Sequence, residues 1–152
     1  MYFPLHNTCM TTVSQTDERS IDNLYAISMR SQITPGEDNV GTLQAINVET
    51  GELEWKTEQP AANLSLISTG GELLFGGDVN GRFRAYDQRN GEILWEVNLG
   101  SPVNGYPATF AVDGRQYVAI STGGSGLAFG LASLAGITPG SGNRLYVFAL
   151  PD

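Results

Sequence analysis

Residues 41–55 read GTLQAINVETGELEW, and residues 81–95 read GRFRAYDQRNGEILW. The two stretches align without a gap at an offset of 40 residues, and each ends in tryptophan. A fixed period of this size is typical of a supersecondary unit that buries its apolar face only by stacking on its neighbours. Alternating apolar residues predict a half-buried strand in each copy, and residues 50–51 and 90–91 predict tight turns to a following strand. The repeat therefore indicates four-stranded β-propeller blades.

The length of the chain sets how many such blades it can form. A closed propeller typically has about four to eight blades. At 152 residues the chain holds three units of this period. We therefore predict an all-β fold, a partial β-propeller of about three four-stranded antiparallel blades.

The division into blades follows from the turn residues and the apolar runs. Two segments interrupt the strand pattern: one is polar, and the other is rich in Gly, Ser and Ala. Long connections inside a repeat are usually insertions on one face of the fold. Within the first of them, residues 24–27 predict a brief strand. The predicted organisation is a partial blade at 1–60 with an inserted loop at 11–39, a complete blade at 61–100, and a partial blade at 101–152 with a Gly-rich insertion at 122–143.

Composition excludes several functional classes. Eight basic and sixteen acidic residues give a formal net charge of -8, which disfavours nucleic acid as a partner. No apolar run approaches the roughly 18 residues of a membrane span. A single cysteine, Cys9, allows neither an internal disulfide framework nor a multi-thiolate metal site. The first residues, 1–6, lack the basic start and apolar stretch of a secretory signal.

The Gly-rich segment 123–126 raises the question of a phosphate-binding loop. It lacks the Lys-Ser/Thr pair of a Walker loop, and its pattern does not indicate that it opens a helix. We therefore expect no nucleotide site there.

The repeated pattern Ala-x-(Asp/Asn)-x-x-(Thr/Asn)-Gly-x-x-x-Trp resembles the tryptophan-docking motif of quinoprotein propellers. This family comprises the pyrroloquinoline quinone (PQQ) dependent alcohol and sugar dehydrogenases and their relatives. The resemblance implies the C-terminal part of an eight-bladed propeller. A docked indole can bury about 200 Å² against the next blade while its N–H finds a backbone acceptor. Trp55 and Trp95 are the two indoles expected to do so.

The resemblance also implies residues that reach the cofactor. Residues 4–10 resemble a family segment, Pro-x-Asn-x-x-Cys-Met, whose Asn contacts the quinone; strict alignment places His6 there, with Asn7 one position later. Residues 123–127 align with a segment ending Gly-Gly-Trp that packs over the quinone, and Gly126 and Leu127 occupy its last positions.

A second family tryptophan precedes the strand pair of the complete blade. Ala62 and Asn63 occupy the matching positions, so Asn63 joins the candidate cofactor-binding residues. No acidic cluster has the ligand spacing of a calcium loop. We accordingly assign no catalytic residue and no metal ligand to this chain.

The resemblance implies a parent enzyme that oxidises an alcohol or sugar with PQQ and Ca²⁺ or a lanthanide. That enzyme is expected in the periplasm, with a cytochrome or a quinone as electron acceptor. Its metal ligands and catalytic base would lie in N-terminal propeller blades, so this fragment alone is expected to be inactive. The alternative is a non-enzymatic scaffold of the outer-membrane assembly type, which shares the docking motifs and binds proteins.

Overall fold

The computed structural model describes residues 1–14 and 27–149. Its elements are twelve strands and one helix, namely β1 (Tyr2–His6), β2 (Thr8–Ser14), β3 (Ile27–Ile33), β4 (Gly41–Ile46), β5 (Leu53–Gln59), β6 (Asn63–Ser68), β7 (Leu73–Asp78), β8 (Arg82–Asp87), β9 (Ile93–Asn98), β10 (Ala108–Val112), β11 (Arg115–Thr122), α1 (Gly126–Leu134) and β12 (Arg144–Ala149).

The strands form four antiparallel sheets. Sheet I has the order β1-β4-β5, sheet II the order β6-β7-β8-β9, and sheet III the order β10-β11-β12. Strands β2 and β3 form a separate hairpin. Sheet II is a complete four-stranded meander, and sheets I and III each contain three strands. The predicted all-β partial propeller is confirmed.

The two copies of the repeated stretch adopt the same local structure. Each forms the last two strands of its sheet, and in the strand ladder Ala45 lies opposite Trp55 as Ala85 lies opposite Trp95. Between the strands, Gly51 has φ +76° and Gly91 has φ +74°. This left-handed conformation is open to glycine at little cost, which explains the glycine at the turn of both copies.

Sheets I and II pack through one apolar cluster and one indole. Leu43 of β4 is fully buried against Leu74 and Tyr86 of sheet II. Trp55 donates its Nε1 hydrogen to the backbone oxygen of Gln88, at 2.9 Å, and its ring packs on Gly91. The indole at the end of the first copy thus holds the turn of the second.

Sheets II and III share a larger apolar core. Its fully buried members come from strands of both sheets and include Phe83, Val118 and Ile120. Trp95 packs edge-on against Phe83 and Phe148, with ring centroids 6.1 and 5.3 Å away, and stays 40% exposed.

Helix α1 lies within the segment 122–143, where the sequence pattern indicated no helix. That interpretation is wrong at residues 126–134, because the Ser125 hydroxyl accepts a hydrogen bond from the Ala128 amide and caps the first turn. Leu131 and Ala132 are buried against Ala62 and Val79. The helix forms because this apolar face covers the ends of sheets I and II.

The predicted loop 11–39 overlaps the hairpin β2-β3: β2 begins before it, at Thr8, and β3 lies within it. Ile33, at the end of β3, packs against the cluster beneath α1. Of the strand predicted at residues 24–27, residues 24–26 lie outside the described part of the chain, and β3 begins at Ile27. Within residues 1–14 and 27–149, no helix is long and apolar enough to cross a bilayer.

Candidate functional site

Both long connections leave from the same side of the fold, where strands of all three sheets begin or end. We call this side the insertion edge. Strand β1 ends there at His6, β6 begins there at Asn63, and β11 ends there at Thr122. The first connection follows β1, and the second, which contains α1, follows β11. A ring nitrogen of His6, Nε2, lies 3.2 Å from the backbone oxygen of Asn63, which joins sheets I and II at this edge.

Backbone hydrogen bonds tie the insertion edge together from sheet II to sheet III. They link the connection between β5 and β6, the turn after β7, the connection before β10 and the end of β11. These bonds run from Val79 N to Ala62 O (3.2 Å), from Val103 N to Asp78 O (3.0 Å), and from Gly123 N to Pro102 O (2.8 Å). These hydrogen bonds connect the insertion edge into one surface, which we also call the platform.

His6 presents its imidazole at this platform. The residue is exposed, and the contact to Asn63 involves only one of its two ring nitrogens. Imidazole accepts or donates a hydrogen bond at each nitrogen according to its tautomer. Because the Asn63 carbonyl oxygen only accepts, this contact requires the ring proton on Nε2, and Nδ1 of the neutral ring can then accept a hydrogen bond from a ligand donor.

Asn7 turns away from the platform. Its Nδ2 donates to Glu37 Oε2 at 3.3 Å and to the Asn39 backbone oxygen at 3.2 Å. Its backbone N–H donates to the Val40 oxygen, and its backbone oxygen accepts from the Thr34 amide. Asn7 thus holds the segment between β3 and β4 in place, and its amide N–H groups are already engaged.

Asn63 is buried, at 1% exposure. Its Nδ2 donates to the Tyr86 hydroxyl at 3.2 Å, so its amide points into the interface between sheets I and II. Its Oδ1 is buried without a hydrogen-bond partner among the described residues. At the platform itself Asn63 offers only its backbone oxygen, which His6 contacts.

Gly126 and Leu127 open helix α1 on its exposed side. Leu127 is 59% exposed, whereas the next residue, Ala128, is fully buried. Phe129, 50% exposed, lays its ring against Gly124. The start of α1 thus supplies an uncharged apolar surface. Ala128 packs in the same cluster as Ala62, the neighbour of Asn63.

A polar network beside Asn63 was not foreseen from the sequence. Arg84 donates to Asp78 at 2.7 Å and to Glu96 at 2.6 Å, and Asp78 is almost fully buried. Burial raises the pKa of the Tyr86 hydroxyl, which therefore stays protonated. The Asp78-x-x-Gly81 turn was the available sequence signal, because Asp78 Oδ1 accepts from the amides of Asn80 and Arg82.

The insertion edge carries one exposed imidazole, and the connection that leaves it after β11 carries an apolar helix start. Among residues 1–14 and 27–149, no group of three or more His, Cys, Asp or Glu side chains could hold a metal ion.

A family model described as the PQQ glucose, ethanol and alcohol dehydrogenase β-propeller domain matches residues 18–118. Quinoprotein alcohol dehydrogenase PedE of Pseudomonas putida is 33% identical over 120 residues, 76% of this chain and 19% of the relative. Subunit 1 of the cytochrome c methanol dehydrogenase of Methylorubrum extorquens is 38% identical over 101 residues, 62% of this chain and 16% of the relative. The chain thus spans less than a fifth of these relatives.

Solved structures agree with this match. A europium-containing methanol dehydrogenase superposes with a TM-score of 0.81 at 28% identity, and the match covers 98% of this chain and 30% of that one. The quinohemoprotein alcohol dehydrogenase of Comamonas testosteroni gives a TM-score of 0.77 at 26% identity, with 97% and 23% covered.

Proposed function

Because the chain belongs to the family of PQQ-dependent alcohol dehydrogenase β-propellers, we propose that it is part of an enzyme that oxidises an alcohol or sugar. PQQ, when bound, supplies the acceptor for the two electrons removed with the substrate hydrogen. The observation that carries this proposal is the family match over residues 18–118, together with relatives that are quinoprotein alcohol and methanol dehydrogenases.

The insertion edge supports a role in holding the cofactor. We propose that Nδ1 of His6 accepts a hydrogen bond from a donor group of PQQ, and that Gly126 and Leu127 pack against the ring system. Asn63 positions His6 through its backbone oxygen. Asn7 positions the connection between β3 and β4 through Glu37 and Asn39. The orphaned Oδ1 of Asn63 is enclosed in the sheet interface, so we assign it no direct contact with PQQ.

The remaining parts of the site would come from further propeller blades of the parent enzyme. We place the Ca²⁺ or lanthanide ligands and the catalytic base there, and therefore expect residues 1–152 alone to be inactive. Trp55 and Trp95 would act as docking tryptophans, and the hydrogen bond from Trp55 to Gln88 supports this role. We further propose a periplasmic enzyme that passes electrons to a cytochrome or to a quinone.

The test uses the full-length protein that contains this chain. It is incubated with PQQ and either Ca²⁺ or a lanthanide, and reduction of an artificial dye is followed over a panel of alcohols and aldoses. PQQ binding is measured separately by titration calorimetry. We expect PQQ-dependent dye reduction with at least one substrate, and weaker PQQ binding in the His6→Ala variant.

A protein-binding scaffold is the alternative outcome of this test. Such a scaffold would bind neither PQQ nor metal, and no substrate would reduce the dye. If PQQ binds but no compound reduces the dye, the panel lacks a substrate of the enzyme. The two outcomes are distinguished by calorimetry before any activity is measured.

A further inference from the structure

Tyr106 is an exposed aromatic side chain in the connection before β10. It is 83% exposed, more than any other large hydrophobic side chain in the described part of the chain. The preceding residue, Gly105, donates its backbone N–H to the oxygen of Ser121, one residue before β11 ends at Thr122. Tyr106 therefore lies at the insertion edge.

The backbone before Tyr106 is held by two neighbouring strands. Gly105 N lies 3.1 Å from the Ser121 oxygen of β11, and the Gly105 oxygen accepts from the Ser65 hydroxyl of β6 at 2.5 Å. Val103, two residues earlier, is fully buried. The Tyr106 side chain itself bonds no residue in the described part of the chain. The structure thus fixes the position of Tyr106 and leaves its hydroxyl available to a ligand.

His6 and the connection before Tyr106 contact the same end of β6. His6 Nε2 lies 3.2 Å from the Asn63 oxygen, and Gly105 contacts Ser65, two residues further along the strand. Each residue of a strand advances about 3.3 Å, so the two points of contact are about 7 Å apart along β6. A ligand of three fused rings is long enough to reach both side chains.

The two side chains offer complementary hydrogen-bond chemistry. With its ring proton on Nε2, His6 offers an acceptor, Nδ1, to a ligand. The side-chain amides of Asn7 and Asn63 already donate to other residues of the protein. A tyrosine hydroxyl both donates and accepts. Tyr106 therefore supplies the donor that the other candidate cofactor-binding residues lack.

We propose that the Tyr106 hydroxyl donates a hydrogen bond to a quinone or carboxylate oxygen of PQQ, while Nδ1 of His6 accepts from the pyrrole N–H. The oxygens of PQQ only accept, and a site that enclosed them without donors would leave them unsatisfied. Because the backbone before Tyr106 is already fixed, less conformational entropy is lost on binding. This role of Tyr106 rests on the proposed function and adds to it a residue that recognises the oxygens of the cofactor.

The test uses the full-length protein that contains this chain, carrying Tyr106→Phe, which removes only the hydroxyl group. Tyr117→Phe is the matched control, because it makes the same change on β11, five residues before the end of that strand at the insertion edge. PQQ binding in the presence of Ca²⁺ is measured by titration calorimetry. Tyr106→Phe should weaken binding about tenfold, a difference of about 1.4 kcal/mol. Tyr117→Phe should bind PQQ as tightly as wild type.

Chemical accessibility gives a second measurement that does not depend on activity. Tetranitromethane nitrates exposed tyrosines, and mass spectrometry of peptic fragments locates the modified residues. Bound PQQ should lower the nitration of Tyr106 several-fold and leave the nitration of Tyr117 unchanged. The Tm of Tyr106→Phe should equal that of wild type, because the lost hydroxyl bonds no described residue.

The outcomes separate this inference from the proposed function. If the wild type and Tyr106→Phe bind PQQ equally, or if PQQ leaves the nitration of Tyr106 unaltered, the role of Tyr106 is overturned and the proposed function stands. Equal weakening by Tyr106→Phe and Tyr117→Phe would also overturn it. If the wild type binds no PQQ, the proposed function fails, and the role of Tyr106 fails with it.

Discussion

At the scale of single residues, Trp55 shows how an indole joins two sheets. Its ring lies on Gly91, its N–H reaches the Gln88 oxygen, and Tyr2 packs 5.9 Å away. Trp55 thus combines buried apolar area with one hydrogen bond to the neighbouring sheet. A side chain without the N–H keeps the apolar contact and loses the hydrogen bond.

Replacing Trp55 by Phe should lower the free energy of unfolding by about 1–2 kcal/mol, because the Gln88 oxygen loses its donor and part of the apolar contact disappears. Trp95→Phe is the control, since Trp95 donates to no described residue, and it should cost less than about 1 kcal/mol. Urea unfolding followed by circular dichroism measures both. Equal losses would argue against a special role of the Trp55 bond.

Asp87 makes stability depend on pH. Hydrogen bonds from the Arg89 side chain and backbone lower the pKa of Asp87 to about 2. Its stabilising contribution is therefore present above the ordinary carboxyl pKa and is lost as pH falls towards 2. We expect the difference in Tm between wild type and Asp87→Asn to shrink between pH 5 and pH 2, to a small extent because Arg89 is exposed. A constant difference over this range would contradict the assignment.

At the scale of elements, the turns of the two repeats have the same backbone conformation but differ in whether an indole packs on the glycine. Gly51 and Gly91 have nearly the same positive φ. A Cβ on Gly51 would meet nothing within 4 Å, whereas one on Gly91 would overlap the Trp55 ring. The two glycines therefore form a natural matched pair.

Gly51→Ala should destabilise the protein by about 1–2 kcal/mol through the left-handed backbone alone. Gly91→Ala should cost roughly 1–3 kcal/mol more, because the methyl group also displaces Trp55. Chemical denaturation at neutral pH gives both values. A Gly91 variant no worse than the Gly51 variant would show that the indole does not press on this turn.

Helix α1 is held by its buried face and not by its own composition. Leu131 is 3% exposed and Leu127 is 59% exposed. Leu131→Ala should cost about 2–4 kcal/mol, because it opens a cavity against Ala62 and Val79. Leu127→Ala should change stability by less than about 0.5 kcal/mol. Thermal unfolding tests the pair, and comparable losses would mean that α1 packs differently.

At the scale of the whole molecule, sheet II is the structural centre. It shares one apolar cluster with sheet I, another with sheet III, and a third with α1. Its inner strands β7 and β8 have hydrogen-bonded neighbours on both sides. The hairpin β2-β3 forms a separate two-stranded sheet whose second strand is largely exposed on its described residues.

Native-state hydrogen exchange should therefore rank the sheets. Amides of β7 and β8 should exchange most slowly, and those of β2 and β3 should exchange fastest among the strands, because local opening of the hairpin exposes little apolar surface. Mass spectrometry of peptic fragments measures the order. Equal protection of the hairpin and sheet II would show one cooperative unit instead.

The sequence alone determined the repeat unit and its consequences. Strand periodicity and the turn glycines are local, so the stretches 41–55 and 81–95 sufficed to predict propeller blades and to show the family resemblance. The propeller prediction and the quinoprotein resemblance were confirmed for this reason.

Only the tertiary structure decided where the candidate site residues point. Asn63 turns its amide to Tyr86 and Asn7 turns its amide to Glu37, partners that are 23 and 30 residues away along the chain. Helix α1 likewise lacks a polar face in its sequence, and it forms because its buried residues pack against Ala62 and Val79. Contacts between distant residues leave no periodic trace in the sequence, so they become visible only when the chain is folded.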